Sequence, residues 1–78
     1  MVTVRYFAAA AEAAGCEEES VAAATIRELQ DVVIARHGAS LARVLGRCAL
    51  IVGGERGRPE TPLQSEAVVD VLPPFAGG

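Results

Sequence analysis

Residues 2–7 alternate between apolar and mixed positions, with Val2, Val4 and Tyr6 on one side and Thr3, Arg5 and Phe7 on the other, which predicts a strand. Phe7 then falls on its less apolar face. The alanine-rich residues 8–14, closed by Gly15, predict a short helix with a glycine stop. Residues 17–21 read as an edge strand, whose consecutive glutamates Glu17, Glu18 and Glu19 are expected to be solvated charge protecting that edge. Thr25 followed three residues later by Glu28 is a capping-box pattern, and Ile26, Leu29 and Val33 recur on one helical face as far as Gly38. This predicts the main helix. Ser40 is expected to cap a further short helical turn carrying Leu41, Val44 and Leu45. The apolar run at residues 48–52 predicts a buried strand leading into a Gly53-Gly54 hairpin turn. After a loop through Pro59 and Pro62, residues 67–72 form the last predicted strand, with Ala67, Val69 and Val71 inward and Val68, Asp70 and Leu72 on the other face. Pro73 ends it and keeps Leu72 extended.

That order of strands around one long helix predicts an α+β fold, a small mixed sheet with the main helix packed across it. A chain of 78 residues has room for one core and no second domain. The expected division is a folded body at residues 1–72 and a tail at residues 73–78. Hydrophobic residues make up 51% of the chain, which excludes a disordered protein, yet no apolar run approaches the ~20 residues of a membrane span. The opening residues lack the basic and apolar regions of a secretion signal, so the reading is cytoplasmic. A net charge of −3 with scattered arginines gives no basic footprint for DNA or RNA. All seven basic residues are arginine, which leaves no lysine for a Schiff base or for an isopeptide bond to a side chain.

Few side chains suggest chemistry. His37, the only histidine, falls in the last turn of the main helix, where imidazole suits the helix C-terminus, and it reads as structural. Cys16 and Cys48 fit no CxxC or zinc spacing and read as free thiols, so no metal constellation is expected. Gly53, Gly54 and Gly57 are not followed by the Lys-Ser or Lys-Thr of a phosphate loop. With no acid–base pair, nucleophile triad or metal set, no catalytic activity is expected from the chain alone.

The chain closes on Pro73, Pro74, Phe75, Ala76, Gly77 and Gly78. Prolines favour an extended segment, and glycines lacking Cβ atoms can lie in a channel too narrow for other residues. The carboxylate at Gly78, once activated as an acyl-adenylate, could carry sulfur or form an acyl bond.

With this diglycine behind a final strand, and with the segments VTVRYFAAAAEAAG, TIRELQDVVIARHG, VGGE and VDVLPPFAGG, the chain resembles the ubiquitin-like β-grasp sulfur carriers of the MoaD/ThiS family. The opening, with its inserted short helix, is most similar to the MoaD type, the small subunit of molybdopterin synthase. The resemblance implies a β-grasp fold and a carrier without catalysis or a bound cofactor of its own. It implies two partners: a ubiquitin-activating-type enzyme, which uses ATP to adenylate Gly78 before a sulfur donor makes the thiocarboxylate, and the large synthase subunit, where sulfur passes to a pterin precursor. By matching positions, Gly78 carries the sulfur and Gly77 threads the channel, while Phe7, Leu72, Pro73, Pro74, Phe75 and Ala76 form a docking surface. The chain departs from the family at Gly53-Gly54-Glu55, where Asn-Gly is frequent, and at Arg56, where an apolar docking residue can occur. Carriers for thiamine or cysteine biosynthesis, a ubiquitin-like protein modifier and a plain interaction module stay open as alternatives.

Overall fold

The computed structural model describes residues 1–74, so Phe75, Ala76, Gly77 and Gly78 lie outside the described residues. Its elements are β1 (Val2–Tyr6), α1 (Ala9–Ala14), β2 (Glu18–Val21), α2 (Ile26–His37), α3 (Ala39–Leu45), β3 (Ala49–Val52), β4 (Glu55–Arg56) and β5 (Val68–Leu72). The five strands form one mixed sheet in the order β2-β1-β5-β3-β4. β1 and β5 run parallel at its centre, and the remaining pairs are antiparallel. This is the β-grasp arrangement of the expected α+β class.

Strand alternation sets the two faces. Val2, Val4 and Tyr6 of β1 are buried beside Val69 and Val71 of β5. Ile26, Leu29 and Val33, at the helical spacing visible in the sequence, bring α2 onto the same core. The Thr25 hydroxyl accepts a hydrogen bond from the Glu28 amide at 3.2 Å. Glu28 reaches back one residue beyond the usual reciprocal partner and accepts from the Ala24 amide at 2.9 Å. At the hairpin, Gly53 and Gly54 both take positive φ, 59° and 82°, as a tight turn between β3 and β4 requires.

Four expectations need correction. Ser40 caps nothing: α3 starts at Ala39, directly after Gly38, and no side chain caps it. The chain turns within the single residue Gly38, so no position outside the helix is left for a serine. The short helix begins at Ala9 and not at residue 8, because Ala8 has φ 52° and ψ −125°, far from helical values. Ala67 precedes β5 and is only half-buried, while its carbonyl accepts from the Thr3 amide at 2.9 Å. Of the three glutamates, Glu17 and Glu18 are exposed as expected, but Glu19 turns inward. It pairs with Val4 in the ladder, and that register fixes it on the core face of the sheet.

Candidate functional site

The root of the tail is built by the two central strands. The ladder joins Arg5 to Asp70 and Tyr6 to Val71, and the Phe7 amide then donates to the Val71 carbonyl at 3.2 Å. Parallel pairing thus carries Phe7 to the end of β5 where Leu72 leads into Pro73. On the outer face Phe7 is 40% exposed. Leu72 and Pro73 are half-buried and Pro74 is exposed. Leu72 is paired with Ala49, and Ile51 with Asp70, so β3 extends the same face. The outer-face placement comes from strand parity, which the alternation of residues 2–7 and 67–72 already displays. α1 does not cover Phe7; it turns Ala10 and Ala14 into the core.

Phe7 is held from beside. The Arg5 guanidinium makes two hydrogen bonds to the Asp70 carboxylate, at 2.6 and 2.9 Å, and its central carbon sits 5.9 Å from the Phe7 ring centroid. The bidentate contact orients a cation over the ring. Single residues gave no hint of this pairing, since Arg5 and Asp70 lie 65 positions apart. Arg56 is exposed on the same outer face, but β5 and β3 separate β4 from β1. Three inter-strand spacings, roughly 14 Å in all, set it apart from Phe7. Behind the tail root lies a groove of about 370 Å³ lined by Ala9, Arg43, Val44, Arg47, Pro73 and Pro74. Phe75, Ala76, Gly77 and Gly78, the remaining expected site residues, fall outside the described residues.

A second constellation lies at the β2 edge, and residue spacing concealed it. The His37 Nε2 hydrogen bonds to Glu19 Oε2 at 2.6 Å, and the same oxygen accepts from the Tyr6 hydroxyl at 2.5 Å. The other oxygen, Oε1, accepts from Arg36 Nη1 at 3.0 Å. The rings of Tyr6 and His37 meet edge to face, 6.2 Å between centroids. Burial alone would push the Glu19 carboxyl up, but the bonds from Tyr6, His37 and Arg36 outweigh it and hold it below the usual carboxylate range. Burial and the Glu19 bond together push the Tyr6 phenol up. His37 therefore has the structural role expected of it, but as a clasp on β2 and not through its own helix end. Cys16 joins this cluster: its Sγ, a Glu19 oxygen and a His37 ring nitrogen lie within 4.8 Å of one another. The absence of a metal constellation in the sequence spacing was a property of the spacing, because the three residues come from a loop, a strand and a helix end. Cys48, by contrast, is buried and donates to the Val44 carbonyl at 3.2 Å.

The family model described as ThiS family matches residues 4–78. Comparison with curated protein sequences gives no match. Among solved structures, the chain is similar to a component of the protein–protein complex of subunits 1 and 2 of molybdopterin-converting factor from Helicobacter pylori, with 28% identity, a TM-score of 0.72 and coverage of 99% of this chain and 97% of that one. A candidate molybdopterin converting factor subunit 1 from Pyrococcus furiosus is 25% identical, with a TM-score of 0.79 over 95% of this chain and 97% of the other. SAMP1 from Haloferax volcanii has a TM-score of 0.85 at 24% identity over 99% and 98% of the two chains, a likeness of fold. A family match over nearly the whole length, on a β-grasp frame whose last strand leads into the diproline, shows that this chain belongs to the ThiS family of ubiquitin-like sulfur carriers.

Proposed function

We propose that the protein is the sulfur-carrying small subunit of a molybdopterin synthase. The observation that carries this reading is the full-length likeness, at 28% identity, to a component of a two-subunit molybdopterin-converting factor. The tail root supports it: an exposed phenylalanine and a half-buried leucine lie side by side where the chain leaves the sheet, a suitable anchor for a partner that must receive residues 73–78.

In this reading the Gly78 carboxylate attacks the α-phosphate of ATP on an activating enzyme and pyrophosphate leaves. A donor equivalent to hydrosulfide then displaces AMP, and the product is a terminal thiocarboxylate. Inside the large subunit the sulfur attacks an electrophilic carbon of a pterin precursor and displaces an oxygen substituent from it, and hydrolysis of the resulting thioester at its acyl–sulfur bond returns the carboxylate and leaves a thiol on the pterin. The body of the protein docks and presents the tail; the partner enzymes supply the catalysis. Phe7, Leu72, Pro73, Pro74, Phe75 and Ala76 hold the partner, and Gly77 passes through its channel.

Incubation with ATP, an activating enzyme and a sulfur source, followed by fragment mass spectrometry, tests the first half. One oxygen should be exchanged for sulfur at Gly78, and sulfur found only on Cys16 or Cys48 would refute the scheme. Incubation of the loaded carrier with the large subunit and the pterin precursor tests the second half. Loading at Gly78 without transfer to the pterin would redirect the reading to thiamine or cysteine synthesis, and linkage of Gly78 to protein lysines would redirect it to a modifier.

A further inference from the structure

We propose that Cys16, Glu19 and His37 form a binding site for a divalent transition-metal ion of the zinc class. The three residues supply one thiol sulfur, one carboxylate oxygen and one imidazole nitrogen, all within 4.8 Å of one another and all half-buried. Sulfur, nitrogen and oxygen together form a donor set suited to a borderline-soft ion, and magnesium or calcium would instead require a shell of oxygens.

The elements arrange these donors independently of one another. Gly15, in the left-handed conformation at φ 75°, ends α1, and Cys16 follows it in the loop before β2, packed against the core. Sheet register puts Glu19 on the core side of the sheet, opposite Val4. α2 ends at His37, which delivers its ring to Glu19. Among the described residues the Tyr6 hydroxyl, both Glu19 carboxylate oxygens and His37 Nε2 have partners, but the Cys16 thiol makes no hydrogen bond. A sulfur directed at a carboxylate and an imidazole, with no bond of its own, is what a hydrogen-bonded clasp alone leaves unexplained.

The adjustment needed is small. With the bond lengths of zinc sites, a tetrahedral ion holds its ligand atoms roughly 3.3–3.6 Å apart. The Nε2 to Oε2 separation of 2.6 Å therefore opens by less than an ångström as the ion takes the place of the shared proton. Cys16 closes in through side-chain rotation. On binding, the thiol proton leaves to solvent and the sulfur–metal bond forms. The imidazole proton moves from Nε2 to Nδ1 with no net change. Arg36 stays on Oε1, the oxygen the ion does not need, and balances the ligand charge. A water or the Tyr6 hydroxyl completes the fourth position. The ion would clamp the β2 edge to the end of α2 on the core side of the sheet, and it uses none of the residues of the carrier tail, so the site does not rest on the sulfur-carrier reading.

The full chain, purified with a chelator and kept reduced, is titrated with cobalt(II) and followed by absorption. The expected result is one ion per chain, with an intense near-ultraviolet sulfur-to-cobalt band and the visible bands of a tetrahedral ion, both bleached by zinc. Cys16→Ser should remove the sulfur band, and His37→Gln, which keeps a donor for Glu19, should weaken binding by at least about tenfold. Cys48→Ser should change neither. Absence of the sulfur band in the unaltered chain at millimolar cobalt overturns the proposal without reference to any variant's folding. It is equally overturned if cobalt binds but Cys16→Ser leaves the spectrum and affinity unchanged, which would mean chelation by exposed carboxylates elsewhere.

Discussion

At the residue scale, the two cysteines show how differently one side-chain type behaves in two settings. Burial pushes both thiols up, and Glu19 adds to this at Cys16. Access differs far more: Cys16 is half-buried near the surface, while Cys48 is only 7% exposed and hydrogen-bonded. A disulfide-exchange reagent at neutral pH should therefore modify Cys16 first and Cys48 only as the protein unfolds, with both rates rising as the pH approaches the raised thiol values. Peptide mapping after a short exposure reads this directly, and equal labelling of the two in the folded protein would contradict it. Phe7 poses the corresponding question for the outer face. Since it is 40% exposed and outside the core, Phe7→Glu should keep the fold within about 1 kcal/mol. Binding to a large synthase subunit should weaken by about thirtyfold or more, the scale of a buried aromatic anchor. A mutant that unfolds would put Phe7 in the core; one that binds normally would move the docking surface elsewhere.

At the scale of elements, local signals decided most of what the sequence made legible. The capping pattern at Thr25, the helical spacing of Ile26, Leu29 and Val33 and the paired glycines each act within one turn, and each element lies where those signals put it. Thr25→Ala should cost about 1 kcal/mol, a fall in Tm of roughly 4–8 °C for a domain this size, visible by calorimetry. What stayed hidden depends on contacts across the chain. Glu19 looked like one of three solvated charges because its inward direction is set by pairing with Val4, fifteen residues away. Cys16 and His37 carried no metal spacing because the fold, not the sequence interval, makes them neighbours. Leu63, in what reads as a polar loop, is buried because its amide donates to the Ala24 carbonyl at 2.8 Å and draws the loop against the start of α2. Gly57 is another such case. A Cβ there would lie 3.1 Å from Ile26 Cγ1, so the glycine serves close approach rather than the turn its neighbours form. Gly57→Ala should destabilise by about 1–3 kcal/mol through overpacking against a buried isoleucine. Combined with Ile26→Ala, which removes both Cγ1 and Cδ1, the loss should be smaller than the sum of the two single losses, whereas strictly additive losses would show that Ile26 is not the obstacle.

For the whole molecule, the parallel pairing of β1 and β5 has the largest consequence for function. Because the first and last strands run side by side in the same direction, the residues before β1 and those after β5 lie at opposite ends of the strands. Met1 lies by the start of β5, where its carbonyl accepts from the Glu66 amide at 3.1 Å. Pro73 lies beyond Phe7 at the far end, and strands of five residues separate the two points by roughly 16 Å. A partner gripping Phe7 and Leu72 and drawing in the tail therefore need not touch the N-terminus. If the carrier reading holds, a short flexible tag before Met1 should leave sulfur loading within about twofold, whereas the same tag after Gly78 should abolish it by replacing the reactive carboxylate with a peptide bond. A protease site that releases the C-terminal tag to regenerate Gly78 should restore loading, which separates a blocked terminus from a misfolded carrier. Loss of loading with the N-terminal tag in a protein of unchanged thermal stability would mean that the partner's footprint reaches the Met1 end, and the docking surface would then have to extend along the whole outer face through Thr3 and Val68.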